Sequence, residues 1–247
     1  MSVLDSFRLD GRTALVTGAG RGLGRAIALA LAEAGARVIA VARTEADLDA
    51  LAAESDAVTP WVADVSDPAF YARIEALETL DVLVNNAGIN RPQPVEAVSD
   101  DNLDLMLDLN VRALFKTAQA ATRVMQRAAR GGSIVNMSSQ MGHIGSPGRT
   151  VYCLTKHAVE GLTKAMAVEL AEAGIRVNTV APTFVETPLT KPMLDKPEFR
   201  DWVMGMIPMK RLATQDDIAA ATLYLASPAS GSVTGTSLLV DGGWTAR

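Results

Sequence analysis

Tyr152 and Lys156 stand four residues apart in the run Thr150-Val151-Tyr152-Cys153-Leu154-Thr155-Lys156, which places both on one helix face about a turn apart. A phenol is a poor base near neutral pH, its ordinary pKa being about 10, but an ammonium held close by favours the phenolate. Such a tyrosine can take the hydroxyl proton of an alcohol, or return it to a carbonyl, while a hydride leaves or arrives at carbon. The same spacing also fits an ordinary surface helix pair. Ser139, thirteen residues earlier, ends the run Ile134-Val135-Asn136-Met137-Ser138-Ser139, and Asn110 lies inside a helical stretch. A buried asparagine there must find partners, so a structural role for it stays open beside a chemical one.

A hydride carrier is suggested by Thr17-Gly18-Ala19-Gly20-Arg21-Gly22-Leu23-Gly24, which follows an apolar strand and opens a helix. Glycines at such a turn let the backbone approach a pyrophosphate, and the helix N-terminus offers free N–H groups and a positive dipole end. A tight turn with close helix packing would use the same glycines. The residue closing the second strand usually decides between NAD and NADP, a carboxylate favouring NAD. Here it is Ala42, followed by Arg43. Arg43 can clamp a 2′-phosphate and Arg21 can reach the same place, although both arginines could equally be solvated. The expectation is NADP favoured over NAD.

The elements that must position these groups alternate from end to end. Strands are predicted at Thr13–Thr17, Arg37–Ala42, Val58–Ala63, Val82–Asn85, Ser133–Met137, Ile175–Ala181 and Ser237–Val240. Between them lie helical patterns over Leu23–Ala34, Glu45–Ala53, Asp67–Glu78, Asp101–Arg130 and Val151–Ala173, with Gly35, Gly131-Gly132 and Gly174 as stops. Continuous apolar strands alternating with helices imply a parallel sheet covered on both faces: α/β, Rossmann-like, doubly wound, seven-stranded, one domain over residues 1–247. Residues 184–209, punctuated by Pro188, Pro192, Pro197 and Pro208, read as an inserted cover over a site.

Gly18, Gly22 and Gly24 in TGxxxGxG spacing, Asn85-Asn86-Ala87-Gly88, Ser139 thirteen before Tyr152, and Tyr152-xxx-Lys156 together resemble the short-chain dehydrogenase/reductase family. The resemblance covers nearly the whole chain, to Val240-Asp241-Gly242-Gly243. It implies a catalytic set of Asn110, Ser139, Tyr152 and Lys156, in which Ser139 bonds the reacting oxygen and Asn110 holds a proton-relay water. It implies coenzyme contacts from Gly18, Gly20, Arg21, Gly22, Leu23, Arg43, Asp64, Val65, Asn86, Ala87, Gly88, Tyr152, Lys156, Pro182, Val185 and Thr187. Thr183 stands where the family's PGxxxT pattern has glycine, which leaves the backbone path there open. It also implies a homotetramer packed through the two longest helices. Apolar residues beyond the needs of one sheet face, Leu105, Leu109, Leu114 and Ala118 on one and Val159, Leu162 and Met166 on the other, agree with that.

Composition narrows the partners. The chain is 49% apolar and 21% charged, with a formal charge of −5, which disfavours nucleic acid and anionic membranes as partners. Its single cysteine, Cys153, allows no internal disulfide and fits a reducing compartment. The stretch Met1–Arg12 lacks a signal-peptide core, so a cytoplasmic location is expected. No His/Cys/carboxylate cluster has metal-ligand spacing. The expected substrate contacts are Ser139, Gln140, His143, Arg149 and Tyr152. His143 could equally be a surface loop residue, and Arg149 could pair with a carboxylate of its own or a neighbouring subunit. The tail resembles members that act on sugar acids and polyols, so the expected reaction interconverts a secondary alcohol and a ketone on such a molecule. A 3-oxoacyl-carrier-protein reductase or general ketone reductase is the enzymatic alternative, with Arg123, Arg127 and Arg130 as part of a docking patch. A non-catalytic dinucleotide sensor is the alternative of another class, disfavoured because tyrosine and lysine are both kept.

Overall fold

The computed structural model describes residues 2–188 and 190–246; positions 1, 189 and 247, which the one-domain expectation also spans, lie outside them. The strands are β1 (Thr13–Thr17), β2 (Arg37–Ala42), β3 (Val58–Val62), β4 (Val82–Asn85), β5 (Gly132–Met137), β6 (Ile175–Pro182) and β7 (Ser237–Val240). They form one parallel sheet in the order β3-β2-β1-β4-β5-β6-β7. The alternation of side chains along a strand sorts them between two cores. Ala14 and Val16 of β1 point to one face, against Ile27, Leu48 and Ile218. Leu15 points to the other, with Leu83, Ile134 and Val177, against Phe70, Val124 and Ala167. The helices carrying these partners are α1 (Gly22–Glu33), α2 (Glu45–Ala52) and, near the end, α9 (Gln215–Ala226) on the first face. On the second lie α3 (Pro68–Glu75), α5 (Leu114–Ala128) and α6 (Thr150–Leu170). Strand order reverses between β1 and β4, and a crevice at the carboxyl ends of strands is expected at such a switch point.

Three helix boundaries differ from expectation. The helix predicted to reach Glu78 stops at Glu75, where the Arg127 guanidinium takes the Glu75 and Leu77 carbonyls at 3.0 and 2.6 Å. The helix predicted over Asp101–Arg130 is three pieces: α4 (Asp100–Leu107, capped by the Ser99 hydroxyl), a π-helical segment Asp108–Ala113, and α5. It ends at Ala129, which takes a left-handed φ of 52°, so the expected stop at Gly131-Gly132 comes late and Gly132 already belongs to β5. The apolar residues assigned to subunit contacts also divide. Leu114, Ala118 and Val159 are buried within the chain, Leu109, Leu162 and Met166 are half-buried, and only Leu105 of the set is exposed; Phe115, Leu154 and, at 82%, Val168 are exposed apolar residues of the same helices that lie outside it.

The 184–209 segment carries α7 (Lys191–Leu194) and α8 (Pro197–Met206), each opened by proline in its first turn. Phe184, Leu194, Val203 and Ile207 pack with Met141 and with Trp244 from the C-terminal tail into a third core beside the crevice. The cover is thus held by its own apolar cluster, and the tail is part of it.

Candidate active site

The phosphate end is built by the turn between β1 and α1. Gly18 has φ +65°, and a Cβ there would sit 2.9 Å from Asn86 Nδ2; one on Gly24 would lie 2.2 Å from the Gly18 carbonyl oxygen. Only glycine fits at either place. Asn86 fixes the turn: its Nδ2 donates to the Thr17 and Gly18 carbonyls at 2.9 and 3.2 Å, and the Thr17 hydroxyl accepts from the Asn86 and Ala87 N–H groups at 2.9 and 3.0 Å. These bonds tie the ends of β1 and β4 together across the switch point.

A cleft of about 800 Å³ opens above them. All sixteen expected coenzyme contacts line it: Gly18, Gly20, Arg21, Gly22, Leu23, Arg43, Asp64, Val65, Asn86, Ala87, Gly88, Tyr152, Lys156, Pro182, Val185 and Thr187. The glycine cradle at a helix N-terminus fits a pyrophosphate, and the far end fits an adenine ribose. There Arg43 is 78% exposed and stands 4.0 Å from Asp64, at the limit of an ion pair. The Asp64 carboxyl is held below its usual value, chiefly by bonds from the Ser66 hydroxyl and N–H and less by Arg43. Asp47 and Tyr71 also line this end, which the sequence reading missed. Asp47 packs against Gly20, across a helix register that no local motif announces.

Ser139, Tyr152 and Lys156 meet on the opposite wall. Ser139 caps the single turn Gln140–Gly142, its hydroxyl accepting from the Met141 N–H at 3.2 Å and donating to the Pro182 carbonyl at 3.4 Å, and it favours the Tyr152 phenolate from beside it. Burial pushes the Tyr152 hydroxyl up to about 12, against Ser139 and the positive charge of Arg149. This corrects the expectation that the lysine ammonium lowers the phenol. Lys156 Nζ lies 5.5 Å from the ring centroid and donates to the Met137 carbonyl at 2.7 Å. Burial pushes Lys156 itself down to about 8, with the Glu160 carboxylate opposing.

Asn110 sits in the π-helical segment with its amide fully engaged. Oδ1 accepts from the Ile89 N–H at 2.9 Å, and Nδ2 donates to the Ile89 carbonyl at 2.8 Å and to Thr155 Oγ1 at 3.2 Å. These bonds tie the side chain to the Ile89 backbone and to the start of α6. Three expected substrate residues do not reach the open cleft wall. His143 turns away, its Nε2 2.9 Å from Ser237 Oγ and 3.3 Å from Glu160 Oε1. Gln140 is buried with neither amide atom partnered. Arg149 lies under the cover, its guanidinium 5.7 Å from the Phe184 ring centroid and Nη2 3.4 Å from Met193 Sδ.

A glycine cradle at the switch point, facing a half-buried tyrosine and a buried serine and lysine, is a place for hydride and proton exchange between a dinucleotide and an alcohol. A family model described as Enoyl-(Acyl carrier protein) reductase matches residues 18–245. L-xylulose reductase of Bos taurus is 41% identical over 97% of this chain and 98% of its own length. Galactitol 2-dehydrogenase (L-tagatose-forming) of Cereibacter sphaeroides is 42% identical over 97% of each. The crystal structure of a gluconate 5-dehydrogenase from Burkholderia cenocepacia J2315, in complex with NADP and tartrate, superposes with a TM-score of 0.95 at 38% identity, over 100% of both chains. The protein is an NAD(P)-dependent oxidoreductase that interconverts an alcohol and a ketone. The chain belongs to the short-chain dehydrogenase/reductase family.

Proposed function

We propose that this enzyme, acting as one domain, prefers NADP and works on a secondary alcohol of a sugar acid or closely related polyol, with Tyr152 as acid/base. The observation that carries the substrate class is Arg149, which lies beneath the cover and off the open cleft wall, so that a substrate carboxylate would meet it only under the 184–209 segment. Its side chain is 7% exposed, Nη1 has no partner, and among the described residues no carboxylate pairs with it. A guanidinium buried without a counter-charge is costly, and a bound carboxylate would relieve that cost with paired hydrogen bonds. Arg149 also acts electrostatically on Tyr152, so a carboxylate on Arg149 would bring the rest of the molecule near the phenol. The relatives named for xylulose, galactitol and gluconate support the same class. Less favourable to the carrier-protein reading is that its expected patch is engaged within the chain, Arg123 by Glu75, Arg127 by two carbonyls and Arg130 by Asp81.

When bound, the coenzyme supplies or accepts the hydride. In reduction, Tyr152, protonated up to about 12, gives its proton to the carbonyl oxygen, and Ser139 holds that oxygen by a hydrogen bond. Asn110 keeps the backbone at Ile89 and the start of α6 in place. NADP is supported by the absence of a carboxylate at Ala42 and by Arg21 and Arg43 on the cleft rim, with Asp47 as the opposing charge. We further infer a cytoplasmic homotetramer, supported by the exposed Leu105, Phe115, Leu154 and Val168 on the helices α4, α5 and α6; a monomer mass by light scattering would overturn it.

The test is Arg149→Met assayed with NADP on a hexonic acid and the matching neutral hexitol. Loss of a charge-assisted contact of about 1.5–3 kcal/mol should raise KM for the acid by roughly 10- to 100-fold and leave the hexitol within a few-fold. Equal losses would make Arg149 structural, and a wild type inactive on both would remove the substrate class.

A further inference from the structure

Glu160 is a buried carboxylate that the reaction as described does not use, one turn after Lys156 on the inward face of α6. We propose that Glu160 is a positioning residue, which holds the turn presenting Ser139 by way of His143 and keeps the Lys156 side chain charged. The inference rests on the reading of Ser139, Tyr152 and Lys156 as the reacting set.

The carboxylate has a built socket. Thr179 Oγ1 lies 3.1 Å from both its oxygens, Ser237 Oγ 3.1 Å from Oε1, and His143 Nε2 3.3 Å from Oε1. Thr179 and Ser237 are also 2.8 Å apart, and Ser237 and His143 2.9 Å. Each hydroxyl has one proton to give, so they cannot bond each other and the carboxylate twice over. A proton on His143 Nε2 completes the set. His143 closes the turn Gln140–Gly142 that Ser139 opens. Gly142 lies directly on α6: a Cβ there would be 3.1 Å from Glu160 Cγ and 3.1 Å from the Lys156 carbonyl. The Ser139 turn is therefore pinned to the helix carrying Tyr152 and Lys156 at one acidic point.

The second contact is electrostatic. Lys156 is buried, and the Glu160 charge opposes the loss of its proton. Around the pair, β5 presents the Met137 carbonyl, β6 Thr179 and β7 Ser237, none of which titrates. The ionisable groups are His143 on the turn and Arg149, Tyr152 and Cys153 at the start of α6. Burial acts on the two groups in opposite directions, raising Tyr152 and lowering Lys156, so loss of the Lys156 proton is what the alkaline limb of kcat should follow in reduction. Removing the Glu160 charge makes the ammonium easier to deprotonate, so that limb moves to lower pH.

The experiment measures kcat against pH for reduction by NADPH of the keto form of the best substrate, with thermal melting as a check of folding. Glu160→Gln should shift the alkaline limb down by about 1 pH unit. His143→Ala should leave the limb in place and lower kcat roughly 10-fold, and His143→Gln, which keeps a donor, should recover most of it. A limb for Glu160→Gln that coincides with wild type, or wild-type kcat in His143→Ala, overturns the proposal. If Glu160→Gln does not fold, Glu160→Asp keeps the charge and must keep the limb while kcat falls; a moved limb refutes the assignment. Tyr152→Phe in the same assay isolates the underlying reading, since full reduction by that variant would sink the reacting set whatever Glu160 does.

Discussion

Lys156→Met should make the coenzyme-free protein more stable at neutral pH while abolishing its activity. Burial lowers the Lys156 ammonium from 10.5 to about 8. At about 1.36 kcal/mol per tenfold change in proton affinity, the charged lysine weakens the fold by on the order of 3 kcal/mol. Methionine removes that term and keeps most of the volume. One loss offsets it, the bond to the Met137 carbonyl, about 1–3 kcal/mol; the favourable Glu160 charge is already contained in the lowered value. The net gain is about 1–2 kcal/mol, or roughly 2–8 °C in Tm for a chain of this size. The sign with pH follows from the lowered value. Below about 8 the lysine is charged in both folded and unfolded chains, and the full penalty applies. As pH rises from about 8 to 10.5 the folded chain releases its proton first, and the variant's advantage shrinks away. Melting curves at about pH 6.5, 8 and 10 check this. A variant less stable than wild type by the same margin at every pH would show that the buried charge is not what the site holds at a cost.

Tyr152→Phe should lower kcat by roughly 100-fold or more while leaving NADPH affinity, read by fluorescence titration, nearly unchanged; retention of more than a few per cent of wild-type kcat would refute the acid/base role. Ala42→Asp should shift coenzyme preference towards NAD by about tenfold, through repulsion of the 2′-phosphate and bonding to the ribose hydroxyls. Position 42 faces the glycine turn, 3.2 Å from where a Cβ on Gly20 would lie, so a carboxylate there is in reach; wild type binding NAD more tightly than NADP would make Arg43 a solvated side chain.

The strands were the most legible part of the fold, because buried parallel strands such as Ala14-Leu15-Val16 must be apolar on both faces. The helix between β4 and β5 was less so. Its apolar spacing continues through Asp108–Ala113, and nothing local distinguishes a π-helical segment, which is set by the Asn110 contacts to Ile89 and Thr155. Its end was misplaced because Ala129 adopts a conformation that usually selects glycine. In the site, the glycine-turn positions were readable from motifs fixed by close backbone approach, as at Gly18 and Gly24, whereas Asp47 and Tyr71 on the cleft wall were not. Nor was His143, since its partner Glu160 is distant in sequence. A signal existed all the same: Tyr152, Lys156 and Glu160 recur every four residues, so the glutamate had to face inward with the lysine.

The Asn86 bonds to Thr17 and Gly18 bear on how such an enzyme can change coenzymes over generations of mutation. The phosphate cradle is locked from beneath by β4, and beside it Ala42 and Asp47, from the segment around the end of β2, press on Gly20. Arg43, largely in solvent, can be exchanged without breaking any of the bonds that shape the cradle. Selectivity between the two dinucleotides is therefore a detachable trait, free to drift with the supply of reducing equivalents, whereas the cradle tolerates no such traffic.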